Sequence, residues 1–295
     1  MDFQLDDDQR ALQAGMRQLL EGRFSLRDAT DRIDRALWRE LGEAGFFSLA
    51  LPEAESGVGL GLPEAVLVFE EAGRVLLPGP AVATFLAAGV VPGAATGEAV
   101  VTAVDGTLVP WLDEADVVQG EAADAVPLRS VDPLTPLHRV PDAGGLDRGV
   151  LLYAAEQLGS AVRTCETAVQ YARRREQFGR PIGAFQAVKH LCAQMLVRAE
   201  LARAAVYAAA VTGDRLDASA AKLLADDAAV RNARDCLQVH GGMGFTWESD
   251  VHLHLKRAWV RAELGRSARA AEEELAEALT ETLPEPLTEA LPEAR

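Results

Sequence analysis

The 295-residue sequence has little positive charge, few cysteines and no long hydrophobic run. Its 29 Lys and Arg stand against 45 Asp and Glu, which gives a formal net charge of −16. A chain this acidic repels a phosphate backbone, so we do not expect nucleic acid as a partner. The longest apolar runs, such as residues 81–91, are too short to cross a bilayer, and the acidic start lacks the basic region of a secretory signal. We therefore expect a cytoplasmic protein without membrane contact.

Several kinds of reactive site are also missing from the sequence. Cys165, Cys192 and Cys236 are odd in number and form no CxxC pair, which indicates reduced, buried thiols rather than a disulfide framework or a zinc site. GxSxG, GxxxxGK[ST] and HExxH do not occur. His252 and His254 are two apart, a spacing that points them to different sides of a helix, so we expect surface histidines and no metal.

Apolar residues make up 49% of the chain, enough for a substantial core, and their spacing predicts a mainly α-helical fold. Helical periodicity over residues 1–96 predicts an N-terminal helical domain. Short β-branched runs separated by Gly, Pro and Asp predict a small β segment over 97–146. The helical period returns over 147–272 and predicts a four-helix bundle. Residues 273–295, rich in Glu and Pro, are typical of a mostly disordered acidic tail, with room for a helical start.

Three consecutive arginines, Arg173, Arg174 and Arg175, stand just before the run EQFGRP. One interpretation is structural: cations favour a helix C-terminus, and Gly179 would cap that helix. The other is an anion clamp, in which an arginine forks to a phosphate and Phe178 covers a ring.

A second run, Gln238–Glu248, contains glycines at 241, 242 and 244. Glycines let a backbone approach a ligand closely and expose its N–H groups, but the same turn also serves as a plain connection between helices. The two runs lie some sixty residues apart on the same predicted bundle, and together they favour a ligand site.

The runs YARRREQFGRPIGAFQAVKH and CLQVHGGMGFTWESDVHLHLKRA resemble the acyl-CoA dehydrogenase family, which carries R-x-Q-F-G-x-P-I-x-x-F-Q and Q-x-x-G-G-x-G-[FY]. The earlier stretch LGEAGFFSLALPEAESGVGLGL is similar to that family's N-terminal domain. The resemblance covers roughly residues 1–95 and 147–260. It implies a helical domain, a β-barrel domain and a four-helix bundle, with FAD at a subunit interface.

The resemblance further implies six cofactor-contacting residues: Arg175, Phe178, Gln238, Gly241, Gly242 and Gly244. Arg175 and Phe178 match positions that contact the FAD of the neighbouring subunit, at the pyrophosphate and the ring side. The glycine loop that begins at Gln238 matches the one that holds the adenosine.

The sequence departs from the family in its middle region. Residues 97–146 are far shorter than the family's β-barrel domain, and they contain neither the TE-x-x-x-GSD nor the W-[IV]-[ST]-N segment that covers the isoalloxazine. We therefore do not expect a complete flavin pocket within this chain.

The family's catalytic base is also missing. The family reaction needs a carboxylate that removes the α-proton of the acyl-CoA while the β-hydride passes to the flavin. The matching position holds Leu264 or Arg266, depending on the alignment, and the alternative position at the start of the bundle holds Gly149. Glu263 and Asp147, which lie close by, remain weak candidates.

This pattern resembles the short, base-lacking subunits of heteromeric actinobacterial acyl-CoA dehydrogenases, which are associated with fatty acid or sterol side-chain degradation. The leading hypothesis is a subunit that contributes FAD contacts to a longer partner carrying the base, in a heterotetramer. A non-enzymatic scaffold without cofactor, or a self-sufficient homodimeric dehydrogenase, are the alternatives. Apolar helix surface over residues 200–213 predicts an oligomer, with homodimers when the partner is missing.

Overall fold

A computed structural model describes residues 4–26, 31–141, 147 and 149–282. This part of the chain is mainly α-helical, which confirms the predicted fold class. The helices are α1 Asp7–Arg23, α2 Arg35–Glu43, α3 Leu62–Val75, α4 Ala81–Ala87, α5 Val150–Arg174, α6 Gln186–Thr212, α7 Arg215–His240, α8 Val251–Ala262 and α9 Ala268–Thr282. Among these described helices, none is at once long and apolar enough to span a membrane.

The N-terminal helices start where the sequence supplies capping residues. The Asp6 carboxylate accepts from the Gln9 N–H at 2.8 Å, and the Asp6 N–H donates back to the Gln9 side chain at 3.2 Å. This reciprocal pair satisfies free backbone donors of the first turn of α1. In the core of the N-terminal domain, the centroid of the Phe47 ring lies 4.8 Å from that of Trp38 and 5.1 Å from that of Phe46. An aromatic core thus holds the N-terminal domain together.

Five three-residue strands occupy the middle of the chain: β1 Val101–Ala103, β2 Leu108–Pro110, β3 Val117–Gln119, β4 Val126–Leu128 and β5 Leu137–Arg139. β1 pairs with β3 in parallel, and β5 lies between β2 and β4 in an antiparallel sheet. Sheets this small need support from other elements. The Thr84 hydroxyl of α4 supplies some of it, because it donates to the Val101 carbonyl and accepts from the Val101 N–H.

Helices α5 to α8 form the predicted bundle, with α5 in contact with α3, α6, α7 and α8. Small side chains line the α5–α7 interface, and a single buried amide ties three helices together. The Asn232 side chain on α7 donates to the carbonyl of Ala161 on α5 at 3.1 Å and to that of Met195 on α6 at 2.9 Å. The bundle is therefore fixed in register by a polar contact as well as by apolar packing.

The N-terminal domain docks on the bundle through two glycines. A Cβ added at Gly73 on α3 would lie 2.0 Å from the Glu156 carbonyl oxygen, and one at Gly159 on α5 would lie 1.9 Å from the Glu70 carbonyl oxygen. The two helix backbones approach too closely at this crossing for any side chain. Glycine at both positions therefore sets the distance between the two helical domains.

The C-terminal region begins with a helix, for which the predicted acidic tail left room. Helix α9 runs across residue 273, and Glu274 within it contacts Arg215 at 2.5 Å and the Ser219 hydroxyl at 2.7 Å, both on α7. The start of the predicted acidic tail is thus a helix packed on the bundle. Residues 283–295 lie outside the described part of the chain.

The expectation of surface histidines is wrong for His252 and His254. Both are buried on α8 and exposed by only 7% and 6%. The reason is that α8 is covered on more than one side, by α5 and α7 and by the loop residue Leu134 of the middle region. The His254 ring nitrogen Nδ1 is hydrogen-bonded to the Ser160 hydroxyl at 2.8 Å.

Candidate functional site

The arginine run ends helix α5 and leads into a hairpin formed by β6 Glu176–Gln177 and β7 Arg180–Pro181. Arg175 has extended backbone angles, and its carbonyl accepts from the Ile182 N–H at 2.8 Å. Phe178 and Gly179 both have positive φ, 55° and 76°, and form the hairpin turn. The prediction that Gly179 caps α5 is therefore wrong, because the chain leaves the helix four residues earlier.

Two of the predicted contact residues in this hairpin are free to meet another molecule. The Phe178 ring is 90% exposed and touches the edge of Phe185 at a centroid distance of 6.0 Å. Arg175 is also exposed, and its guanidinium has no ion pair within the described residues. Both side chains therefore lie outside the packed core of the described chain.

The glycine loop follows helix α7 directly. Gly241 has φ 60° and ψ −143°, which turns the chain out of the helix. A Cβ at Gly241 or Gly242 would meet no atom within 4 Å, whereas one at Gly244 would lie 3.0 Å from the His240 Cβ. Gly241 and Gly242 thus present open backbone, while Gly244 is required by packing. Gln238 is exposed on the last turn of α7.

The structure brings the two runs together at one end of the bundle. The Tyr171 ring of α5 stacks on the His240 ring of α7 at a centroid distance of 4.0 Å and an angle of 24°. Arg175 and Met243 both line a cleft of about 1100 Å³ that opens beside this stack. Phe178, Gln238 and the two open glycines are outside its lining but at the same ends of α5 and α7.

One wall of the cleft is a stripe along α5 that the sequence analysis missed. Arg163, Thr167, Tyr171 and Arg174 recur at helical spacing and all line the cleft. The eleven helical rises between Arg163 and Arg174 make this wall about 16 Å long. Arg163 and Arg174, like Arg175, have no carboxylate partner among the residues that the structure describes. The sequence could have revealed this stripe through the i, i+4, i+8, i+11 spacing of its residues.

The positions expected for a catalytic base carry no usable carboxylate. Leu264 is buried against Leu137 and Val260. Arg266 forms ion pairs with both Asp147 and Glu274, so the weak candidate Asp147 is paired with the residue at the alternative base position.

Gly149 and Glu263 differ in the room around them. A Cβ at Gly149 would lie 2.4 Å from the Val82 Cγ1, so this position excludes any acid. Glu263 is exposed at the end of α8.

A buried carboxylate that the sequence analysis missed lies between α5 and α8. Glu156 pairs with Arg261 at 3.0 Å beside a void of only about 30 Å³. Burial raises the pKa of Glu156, and the charges of Arg261 and Arg257 act against it. Because the Glu156 carboxylate is already paired with Arg261 in the protein interior, we assign it a structural role and do not count it as a candidate base. Its sequence surroundings, an otherwise apolar helix face, gave no signal for it.

Two family models and a relative of known name match most of the chain. The family model described as "Acyl-CoA dehydrogenase, C-terminal domain" matches residues 142–279, and "Acyl-CoA dehydrogenase, N-terminal domain" matches residues 6–98. The chain is 38% identical over 273 residues to acyl-CoA dehydrogenase IpdE2 of Mycobacterium tuberculosis, an alignment that spans 82% of this chain and 86% of that protein.

Solved structures agree with the sequence comparison. The ChsE4-ChsE5 complex from Mycobacterium tuberculosis superposes with a TM-score of 0.82 at 25% identity, over 96% of this chain and 100% of the matched chain. Butyryl-CoA dehydrogenase from Megasphaera elsdenii has the same TM-score, 0.82, at 19% identity, over 95% of this chain and 100% of that chain, which shows the fold alone.

Proposed function

Because this chain belongs to the acyl-CoA dehydrogenase family of oxidoreductases, we propose that it is the short subunit of a heteromeric, FAD-dependent acyl-CoA dehydrogenase. In this role it contributes adenosine and pyrophosphate contacts to the FAD of a longer partner, which carries the catalytic base for α,β-desaturation of an acyl-CoA thioester. One contrast carries the proposal. Five of the six matched cofactor positions are exposed, all but Gly244, and Arg175 has no ion pair among the described residues, whereas every matched base position is apolar, ion-paired or sterically closed.

The residues present fit the cofactor. The free Arg175 guanidinium offers a forked donor for the pyrophosphate. The open backbone at Gly241 and Gly242 leaves room for the adenosine to approach closely, and Phe178 offers an exposed ring face. When bound, FAD supplies the acceptor for the β-hydride. This chain's own residues would hold and orient the nucleotide half.

A partner chain is also favoured by the exposed apolar side chains around the glycine loop. Met243, Phe245 and Trp247 are exposed by 47%, 70% and 74%, and they follow α7 at the end of the bundle where the hairpin with Phe178 follows α5. Clustered large apolar side chains of this kind mark interaction surfaces. The ChsE4-ChsE5 relative is a complex of two unlike chains by name, which supports the same arrangement here. The acyl group would be that of a fatty acid or a sterol side chain.

The proposal is tested by purifying the chain alone and together with a longer acyl-CoA dehydrogenase subunit. We expect the pair to contain FAD and to oxidise acyl-CoA, and the lone chain to do neither. Stoichiometric flavin in the lone chain, or its turnover of any acyl-CoA, would contradict the shared site and favour a self-sufficient homodimer.

Replacement of Arg175 separates the proposal from a cofactor-free scaffold. Arg175→Gln should weaken FAD binding by the pair by about tenfold or more, because a hydrogen bond to a charged group contributes about 1.5–3 kcal/mol. The matched control is Arg269→Gln, an exposed arginine on α9 whose ion pair, within the described chain, is with Glu273 of the same helix. Equal flavin content in both variants would support the scaffold instead.

A further inference from the structure

A small void lies where the three parts of the chain meet. Its volume of about 30 Å³ leaves room for one or two water molecules, or for an ion of similar size. The N-terminal domain, the middle region and the bundle all contribute to its wall, through residues that include Gly79, Val82, Trp111, Thr135, Glu156 and Arg261. We call it the junction void.

A buried arginine at the junction void has a hydrogen-bond donor without a partner. Arg261 on α8 is exposed by only 3%, and its Nε lies 3.0 Å from the Glu156 carboxylate. Its Nη1 is buried and makes no hydrogen bond to any residue that the structure describes. Burial lowers the pKa of Arg261 to about 10, with the charge of Glu156 acting against it, so the guanidinium remains charged at pH 7. A charged N–H without an acceptor is costly in a protein interior, which favours a bound molecule that accepts from it.

Two residues at the void can in turn accept hydrogen bonds from such a molecule. The Thr135 hydroxyl donates to the Asp132 carboxylate at 2.7 Å, and its oxygen retains the capacity to accept. The Glu156 carboxylate has more lone pairs than its contact with Arg261 uses. A molecule in the junction void can therefore accept from α8 and donate to α5 and to the middle region.

The charges at the void are already paired, and this restricts the occupant further. Arg261 pairs with Glu156, and Arg257, which also lines the void, pairs with the buried Asp132. An anion would add an unpaired negative charge beside Glu156, and a cation would lie beside two guanidinium groups. Either is costly where bulk water is excluded. The occupant that fits is small and neutral, and it both accepts and donates.

We propose that the junction void is a binding site for an internal water molecule, which accepts from Arg261 Nη1 and donates to the oxygens of Glu156 and Thr135. Buried waters typically make about three hydrogen bonds to groups that lack other partners, which is the number available here. The water thereby joins the bundle to the middle region and belongs to the folded structure. The inference is independent of the proposed function, because it involves only groups of this chain.

The test counts the long-lived waters of the lone chain by oxygen-17 magnetic relaxation dispersion, which detects waters that stay bound for longer than the protein takes to rotate. Val260→Ile adds a methylene group to a buried side chain at the wall of the void. We expect the number of long-lived waters to fall by at least one in this variant. An unchanged number in folded Val260→Ile would overturn the inference.

Val206→Ile is the matched control, because Val206 is a buried valine on α6 that does not line the junction void. The same methylene group added there should leave the number of long-lived waters unchanged. An equal fall in both variants would contradict the assignment of the lost water to this void.

A second measurement needs no substitution. In rotating-frame NMR of the wild-type chain, which separates proximity from hydrogen exchange, the Nη1 hydrogens of Arg261 should show a dipolar contact with water. The absence of that contact would overturn the inference even if Val260→Ile failed to fold. Chloride-35 NMR tests for an ion instead: broadening by the wild-type chain that Val260→Ile removes would identify a bound anion and likewise overturn it. None of these samples contains FAD or a partner subunit, so their outcome leaves the proposed function to its own test.

Discussion

Gly242 and Gly244 lie two residues apart in one loop, yet an added methyl group would have different consequences at each. Gly242→Ala meets no atom within 4 Å in this chain, so it should leave the melting temperature of the lone chain nearly unchanged. In the assembled pair it should lower FAD occupancy, because the methyl group takes up the space proposed for the adenosine. Thermal unfolding of the chain and the flavin content of the pair are the two measurements.

Gly244→Ala provides the opposite control. Its Cβ would press on His240 and on Leu237, whose backbone Cα is 3.3 Å away, so this variant should destabilise the lone chain by about 1–3 kcal/mol. A Gly242→Ala pair with full flavin content would contradict the proposed position of the adenosine.

His254 should make the protein sensitive to acid. Burial, together with the charges of Arg163, Arg261, Arg257 and Arg74, lowers the pKa of His254 to about 3. An unfolded histidine has a pKa near 6.5, so the unfolded state binds the proton first and stability falls as the pH decreases from about 6.5 towards 3. The slope from this one group is at most about 1.4 kcal/mol per pH unit.

The contribution of His254 is isolated by comparison with His254→Gln. The free energy of unfolding, measured in urea at several pH values between 4 and 7, should fall less steeply for the variant. Identical slopes would show that His254 is protonated in the folded protein.

A sequence motif singles out individual residues such as Arg175, whereas the sequence misplaces residues whose position is decided by burial. Arg175 and the glycine loop belong to recognisable sequence motifs. In the structure, Arg175 and the loop residue Met243 line the same cleft. Their contact with FAD stays a prediction. His252 and His254 were misplaced because polarity alone predicts a surface, whereas packing of α8 on several sides buries them.

At the scale of helices, the crossing of α3 and α5 depends on the absence of side chains at Gly73 and Gly159. Gly159→Ala would drive a methyl group against the Glu70 carbonyl oxygen, where backbone and not a flexible side chain must move. We expect a loss of about 3 kcal/mol or more in unfolding free energy, at the upper end of overpacking costs. Chemical denaturation measures it.

Gly15→Ala is the matched control for that substitution. Gly15 lies within α1, is exposed, and would bring its Cβ within 4 Å of no atom, so alanine should stabilise the protein by about 0.5–1 kcal/mol. If Gly159→Ala and Gly15→Ala changed the free energy of unfolding by a similar amount, α3 and α5 would be able to move apart without cost.

Arg257 joins α8 to two distant parts of the chain. It pairs with the buried Asp132 of the middle region and donates to the Leu76 and Leu77 carbonyl oxygens, each at 3.2 Å, at the end of α3. Burial acts to raise the pKa of Asp132, but Arg257 and neighbouring hydrogen bonds hold it below its ordinary value.

Removal of either partner should destabilise the protein strongly. Arg257→Met and Asp132→Asn should each cost about 3–5 kcal/mol, because each leaves a buried group without its partner. The double variant should cost less than the sum of the two, which a double-mutant cycle in urea measures. Additive losses would contradict a direct coupling of the pair.

Helices were predicted from periodicity because an amphipathic face repeats along the sequence. Within the region 147–272, where a bundle was predicted, the structure has the long helices α5, Val150–Arg174, and α7, Arg215–His240. The end of α5 was misjudged because a glycine at a helix terminus and a glycine in a hairpin turn give the same local pattern. Only the pairing of β6 with β7 distinguishes them.

At the scale of the whole molecule, exposed apolar side chains on α6 point to association. Leu196, Val197, Leu201 and Val211 are each more than half exposed. We expect the lone chain to form a dimer and the pair with a longer subunit to form a heterotetramer, which light scattering at micromolar concentration measures. A monodisperse monomer would contradict both expectations.

Leu201→Glu tests whether this face is the interface. A charge buried in an apolar contact is costly, so the variant should shift the lone chain towards monomers. Arg231→Glu on the exposed side of α7 is the control and should leave the oligomeric state unchanged. No sequence pattern distinguishes an apolar face that packs within the chain from one that packs against another, so this part of the architecture stays a prediction.

The glycine crossing of α3 and α5 also affects how the protein is made. The apolar residues of α3 lie against a helix whose contact point, Gly159, is 86 residues further along the chain than Gly73. At about 5–20 residues per second, a ribosome takes roughly 4–17 s to supply that missing surface. During this interval the newly made N-terminal domain exposes the hydrophobic face of α3. We therefore expect chaperones to bind the nascent chain before it binds a cofactor or a partner.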